Sequence, residues 1–181
     1  DILEAWTTIT DNAGSNLIRM LKYFYVSRKG YISRSKLYKK IKEYAGRDYE
    51  KLLEELNEFS GFYKIYTEYS EPDDILTLLK TEEFRNKERL YHIYESLNGL
   101  NLIGVTQVIP LVFSILRSFR ESGLDEGENK NTHKDTLICI FRNLENYHFI
   151  NNFVCNRVGN EVEKLYAQYA NEFFDTDTET L

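Results

Sequence analysis

The chain has 181 residues, of which 42% are hydrophobic and 29% charged, and its formal net charge is −6. A chain of this length can bury a core without disulfides or metals, and its acidic balance argues against tight binding of free nucleic acid. Because it contains only two prolines and nine glycines, few positions force a chain break, which favours long helices over many short strands.

Apolar residues recur at helical spacing from the beginning of the chain. In the helix expected to begin at Asp48, for example, Leu52, Leu56 and Phe59 share one face. Gly30 and Gly46 are expected to end two of these helices, because glycine suits a helix C-terminus. The helices predicted for the first half of the chain cover residues 2–9, 16–29, 33–45, 48–66 and 75–79, with Ser33 as the N-cap of the third.

The second half continues the same pattern, with the dipeptide Asn98-Gly99 expected to end a helix and a polar loop expected over 122–131. Thr132 and Asp135 are spaced like a capping box and predict a helix start, and the chain is expected to turn again at 156–159. The helices predicted here cover residues 81–98, 106–119, 132–148 and 162–173.

These elements predict an all-α fold, an irregular multi-helix bundle of about seven to eight helices with a central apolar helix near 108–119. Residues 1–174 are expected to form one helical domain, which can also be divided into subdomains 1–80 and 81–174, followed by a disordered acidic tail, 175–181. The only β-branched run, 102–109, lacks a partner, which argues against a sheet. Because the first residue is Asp1 and not Met, we expect the sequence to be a piece of a longer protein.

The two cysteines, Cys139 and Cys155, belong to no CxxC pair, and they predict reduced core thiols in a cytoplasmic protein. The longest apolar run, near 108–116, is too short to cross a bilayer and contains Pro110, so no membrane contact is predicted.

No sequence pattern points to catalysis, a cofactor or a metal. His92, His133 and His148 form neither an HExxH nor an HxxxH arrangement, and the cysteines lack the closely spaced ligands of structural zinc sites. Gly-rich phosphate loops and the GxSxG elbow are absent from the sequence. We therefore predict no catalytic, cofactor-binding or metal-binding residue, and we expect the many carboxylates to lie on solvated helix faces.

The positive charge is concentrated between residues 19 and 51, which carry eleven Lys/Arg against three Asp/Glu. Cations at the beginning of a short helix could hold nucleic-acid phosphates, and Tyr31 and Tyr38 could add base stacking. The other interpretation is a solvated helix face balanced by the acidic remainder, and the sequence leaves both open. The candidate phosphate contacts are Arg28, Lys29, Arg34, Lys36, Lys39 and Lys40.

Three stretches resemble a known family. They are LKYFYVSRKG at 21–30, LNGLNLIGVTQVIPL at 97–111, and LENYHF at 144–149 followed by VCN at 154–156. Together they resemble the helical middle region of the GmrSD-type restriction proteins, and the resemblance extends over most of residues 5–170. In that family a ParB-like nucleotide-hydrolysing domain precedes this region, and an HNH-type nuclease domain often follows it.

The resemblance implies a non-catalytic helical module of a phage-defence protein that cleaves DNA, with the flanking domains as its partners and DNA as a weak one. The module would link or orient the catalytic domains. Family catalytic residues lie outside this region, so none is carried over, and Asn151 and Asn152 stand where the family often has arginines. The alternative is a protein–protein interaction module of unrelated function. Neither interpretation specifies an oligomeric state.

Overall fold

The computed structural model describes residues 1–68, 71–79, 87–122, 129–155 and 160–175. Within these ranges all regular secondary structure is helical, so the predicted all-α fold is confirmed. Two 3₁₀ turns, Gly14–Asn16 and Arg34–Lys36, each run directly into an α-helix. A π-helical segment, Phe149–Val154, directly follows the α-helix that ends at His148. The α-helices are α1 (Ile2–Ala13), α2 (Leu17–Lys29), α3 (Leu37–Ala45), α4 (Tyr49–Thr67), α5 (Pro72–Leu79), α6 (Lys87–Leu102), α7 (Ile109–Glu121), α8 (Lys130–His148) and α9 (Asn160–Asp175).

Several predicted helix ends are confirmed by their caps. The Asp48 carboxylate accepts a hydrogen bond from the backbone N–H of Lys51 at 3.0 Å and begins α4. Gly30 follows the last residue of α2 with φ of 80°, a backbone conformation that glycine adopts at little cost. Gly46 ends α3 as predicted. The glycines and aspartates of the first half therefore mark real helix ends.

Other predicted helix starts are only partly confirmed. Ser33 has the extended backbone of an N-cap residue before the 3₁₀ turn that runs into α3, but its side chain makes no capping bond, and α3 itself begins at Leu37. Thr132 lies inside α8, where its carbonyl oxygen accepts from the Thr136 hydroxyl, so it caps nothing. Asp135 instead pairs with Arg89 of α6, with Oδ1 and Nε 2.9 Å apart.

Gly99 does not end α6, which runs on to Leu102. A Cβ on Gly99 would meet the end of the Glu145 side chain of α8, which would have to move aside. The helix start predicted at 81, residues 123–128 of the predicted loop, the turn at 156–159 and residues 176–181 of the predicted tail lie outside the described residues.

The segment 97–111, the most specific part of the family resemblance, forms the connection between α6 and α7. Gly104 has φ of 72°, and the backbone N–H of Val105 donates to the Leu100 carbonyl at 2.9 Å, as in a glycine-terminated helix. The Tyr66 hydroxyl donates to the Val105 carbonyl at 2.9 Å and fastens this turn to α4. These residues therefore have a structural role in the turn.

Helix α7 lies at the centre of the bundle, as its apolar pattern predicts. It packs along α9 and also against α2, α4 and α5. The main buried cluster extends from Ile9 of α1 to Ala170 of α9, so residues from both 1–80 and 81–174 share it. The buried residues of α7 are Ile109, Pro110, Leu111, Val112, Phe113, Ser114, Ile115, Leu116 and Phe119.

The substitution Leu116→Ala should lower the free energy of unfolding by about 2–5 kcal/mol, because it removes buried methyl groups and leaves a cavity. Leu116 is only 3% exposed. Leu102→Ala is the matched control: Leu102 is 74% exposed, and its loss should cost less than about 0.5 kcal/mol. Urea denaturation followed by circular dichroism measures both, and equal effects would contradict the central placement of α7.

Candidate nucleic-acid interface

The basic segment is oriented by a small second cluster of buried apolar side chains, Val26, Ile32, Leu37 and Ala167. Leu37 anchors the beginning of α3 beside α2 and α9. Lys36 is the last residue of the 3₁₀ turn that runs directly into α3, and Lys39 and Lys40 of α3 follow it three and four positions later. The three lysines therefore lie near one face of this continuous helical stretch, while Leu37 faces the cluster. We call these three residues the lysine face.

The lysine face is accessible to a partner. Lys36 and Lys39 are exposed and Lys40 is about half exposed. Glu43 lies beside the face, with its carboxylate 3.9 Å from the Lys39 ammonium and 2.5 Å from that of Lys40. The hydrogen bond from Lys40 to Glu43 raises the pKa of Lys40 and lowers the pKa of Glu43. Exposed pairs of this kind contribute little and can exchange for a phosphate.

The remaining candidates lie in other surroundings. Lys29 is exposed and borders a groove that also contains Asp48 and Glu55. Arg34 is exposed at the 3₁₀ turn before α3 and borders a different cavity. Among the described residues, neither Lys29 nor Arg34 makes an ion pair. The cations that sequence grouped together are therefore distributed over separate surfaces.

The prediction that Arg28 contacts phosphate is wrong, because this side chain is only 1% exposed. Its guanidinium carbon lies 4.1 Å from the ring centroid of Phe24, 4.7 Å from that of Phe174 and 5.2 Å from that of Phe113. Its Nε donates to a Glu55 carboxylate oxygen at 3.3 Å. Burial lowers the pKa of Arg28, although arginine keeps its charge in proteins. Arg28 is an internal cation held among aromatic rings.

The guanidinium group of Arg28 also has hydrogen-bond partners close to it in the chain. Its Nη1 donates to the Ser27 hydroxyl at 2.8 Å and to the Phe24 carbonyl at 3.3 Å. The Tyr44 hydroxyl donates to the same Glu55 oxygen that Arg28 contacts. Burial, together with the hydrogen bond to Glu55, raises the pKa of Tyr44 to about 12, so the hydroxyl remains protonated at neutral pH. Glu55 therefore joins α2, α3 and α4 through one carboxylate.

Two tyrosines of the basic segment remain available for stacking. Tyr38 of α3 is 81% exposed and Tyr31 is 48% exposed. The ammonium groups of Lys22 and Lys164 lie 5.4 and 5.8 Å from the Tyr31 ring centroid. Exposed aromatic rings beside cations are the combination with which proteins bind single nucleic-acid strands.

His148 lies at the junction of α8, α9 and the π-helical segment. Its ring is fully buried, and its Nε2 lies 2.8 Å from the Tyr166 hydroxyl of α9. Burial lowers the pKa of His148 and raises the pKa of Tyr166. The pair therefore links α8 to α9, and burial favours the neutral form of the imidazole.

Cys139 and Cys155 are free thiols, as predicted, but their predicted place in the core is wrong, because both are exposed. Cys139 borders the open groove between α6 and α8 and is not in the core. Among the described residues no group of three or more histidine, cysteine, aspartate or glutamate side chains is placed to hold a metal ion. None of the described helices has both the length and the apolar character that spanning a membrane requires.

No family model, no curated protein and no solved structure matches this chain.

Arg28→Ala should lower the free energy of unfolding by about 2–4 kcal/mol, because it leaves the Glu55 carboxylate without its internal cation. The expected loss of stability is smaller than for a fully buried ion pair, since the Glu55 side chain is 20% exposed and water can partly solvate its carboxylate. Lys29→Ala, at the next and exposed position, should change the free energy by less than about 0.5 kcal/mol. Chemical denaturation of both variants tests this difference, which similar values would refute.

The stability of the protein should fall as the pH drops below about 6.5, the ordinary pKa of histidine. Because the pKa of His148 is lowered in the folded state, the unfolded chain takes up its proton first in this range. The loss should level off once the pH is below the folded-state pKa. Denaturation from about pH 7.5 to about pH 5.5 measures it, and His148→Phe should give a shallower dependence. Identical slopes would remove His148 as the cause.

Proposed function

We propose that the chain is a non-catalytic helical module that contacts nucleic-acid phosphates through its lysine face and serves a larger DNA-cleaving protein of the GmrSD type. The single observation that carries the phosphate contact is the lysine face itself. Lys36 at the end of the 3₁₀ turn and Lys39 and Lys40 of α3 lie near one side of the same helical stretch, and the only carboxylate paired with them within the described residues is the exposed Glu43. Exposed lysines on one helix face can follow a phosphate backbone without reading its sequence.

The role within a larger protein is supported by the three stretches that resemble the GmrSD-type middle region. In that setting the module would hold catalytic domains at a fixed distance, and the flanking domains would be its partners. A rigid bundle with one shared core suits such a role, because it transmits position between its ends. The acidic remainder of the chain would repel phosphates from other faces and so favour one orientation of the DNA.

The second candidate function, a protein-interaction module, is favoured by a different observation. Four large apolar side chains at and after the end of α8 are between 45% and 63% exposed: Tyr147, Phe149, Ile150 and Val154. Exposed apolar groups in one short segment are typical of partner-binding surfaces. Such a surface could be covered by a flanking domain or by an unrelated protein.

Reversing the charge of the lysine face should abolish most of the DNA binding. We expect Lys36→Glu with Lys39→Glu to weaken duplex binding at low salt and to reduce the slope of log K against log salt by about 2, one unit for each lost phosphate contact. Fluorescence anisotropy with a labelled duplex measures both quantities.

The matched control is Lys64→Glu with Arg142→Glu, which makes the same change in net charge at exposed positions of α4 and α8. It should leave the salt slope near that of the wild type. If both double variants bind equally, or if the wild type does not bind at low salt, the phosphate contact is refuted and the protein-interaction function is favoured.

A further inference from the structure

A cavity of about 560 Å³ opens where the chain passes from α1 into α2. Arg19 and Lys22 of α2 and Arg34 of the 3₁₀ turn before α3 all border it, together with Tyr23. Two separate parts of the chain thus bring three cations to one concave surface. This cavity is not lined by Lys36, Lys39 or Lys40, so it is distinct from the lysine face.

The charge in this cavity is poorly neutralised. No carboxylate is among its lining residues, and within the described part of the chain Arg19 and Arg34 make no ion pair. Of the three cations, Lys22 has an ion-pair partner within the described residues: the Glu163 carboxylate of α9 lies 2.5 Å from its ammonium. Since like charges that converge in a concavity repel each other, an anion there would relieve the repulsion.

The surroundings indicate which anion fits. Two guanidinium groups can each bind a phosphate through paired hydrogen bonds, and a lysine adds a point charge. Tyr31 does not line the cavity, but its half-exposed ring lies next to it, with the ring centroid 5.4 Å from the ammonium group of the lining residue Lys22 and 5.8 Å from that of Lys164. The volume lies within the range of about 300–1,000 Å³ that is usual for small-molecule sites.

We propose that this cavity binds a terminal phosphate of a nucleotide, with Arg19, Arg34 and Lys22 as its ligands and Tyr31 beside the base. Free mononucleotides and 5′-phosphorylated ends of nucleic acids share this chemistry. Binding would draw Lys22 away from Glu163, so Glu163 competes with the ligand. The site goes beyond the backbone contact at the lysine face, because it recognises a phosphomonoester that internal backbone phosphates lack.

The test is a titration at low salt with deoxyadenosine monophosphate, and with a short oligothymidine that carries either a 5′-phosphate or a 5′-hydroxyl. The wild type should bind the mononucleotide, and Arg19→Gln with Arg34→Gln should weaken binding by at least about tenfold, as expected for lost charge-assisted hydrogen bonds. Lys22→Met should also weaken binding, whereas Glu163→Gln should strengthen it. A merely structural Lys22–Glu163 pair would not give these opposite effects.

The two sources are separated by the oligonucleotides. Tighter binding of the 5′-phosphorylated strand assigns the site to a nucleic-acid end, and binding of the mononucleotide alone assigns it to a free nucleotide. Lys64→Gln with Arg142→Gln is the matched loss of charge and should have no effect. Lys36→Glu with Lys39→Glu should leave mononucleotide binding unchanged, which separates this site from the lysine face.

The proposal is overturned if the wild type binds neither the mononucleotide nor the phosphorylated strand in preference to the hydroxyl strand. It is also overturned if the control double variant loses as much affinity as Arg19→Gln with Arg34→Gln. Both arginines are exposed, so these variants should fold, and their thermal unfolding followed by circular dichroism provides the check.

Discussion

The enclosed guanidinium of Arg28 is the interaction on which the arrangement of the bundle depends. It is contributed by α2 and contacts Glu55 of α4, Phe113 of α7 and Phe174 of α9. A buried charge is costly unless it is paired and hydrogen-bonded, and here a carboxylate, a hydroxyl and a carbonyl accept its protons while aromatic faces cover its planes. An apolar side chain would fill the space, but it would not require four helices to meet in one orientation.

This interaction explains how the last helix contributes to both candidate surfaces. The Phe174 end of α9 is held by Arg28 and by Arg117, whose guanidinium carbon lies 4.0 Å from the ring centroid. Earlier in the same helix, Ala167 packs with Leu37 and so turns the lysine face outward. One turn earlier, Glu163 pairs with Lys22 at the cavity beside α2, and Lys164 lies near the Tyr31 ring. The C-terminal end of α9 therefore packs in the core, and its earlier part contributes charges to the surface.

The fold followed from the sequence where a signal was local and repeated. The i, i+3, i+4 pattern of 108–119 identified the central helix, because a helix that is apolar on most sides must be buried. Gly30 and Gly46 identified helix ends because few other residues suit those positions. Asn98-Gly99 and Thr132-x-x-Asp135 misled, because their signals compete with packing between α6 and α8 that no local pattern records.

The site was harder to predict than the fold, because the number of lysines and arginines in a segment does not show which of these side chains are exposed. Both interpretations of the basic segment, phosphate contact and a solvated helix face, place Arg28 at the surface because of its residue type. Its position, four residues after the buried Phe24 on the same apolar stripe, already indicated the interior. The sequence signal that would have located the second surface, Arg19 and Lys22 three residues apart at the beginning of α2, acquires meaning only when Arg34 folds against it.

The high positive charge of residues 19–51 therefore overstates what a partner can contact. One cation is enclosed, others are paired with Glu43 or Glu163, and only a part remains open to an anion. What is open lies in two places with different shapes: a convex helix face and a concave cavity. A convex row of lysines suits a repeating backbone, whereas a cavity flanked by arginines suits a single terminal phosphate. The division of one basic segment into these two shapes is the structural basis for assigning them different ligands.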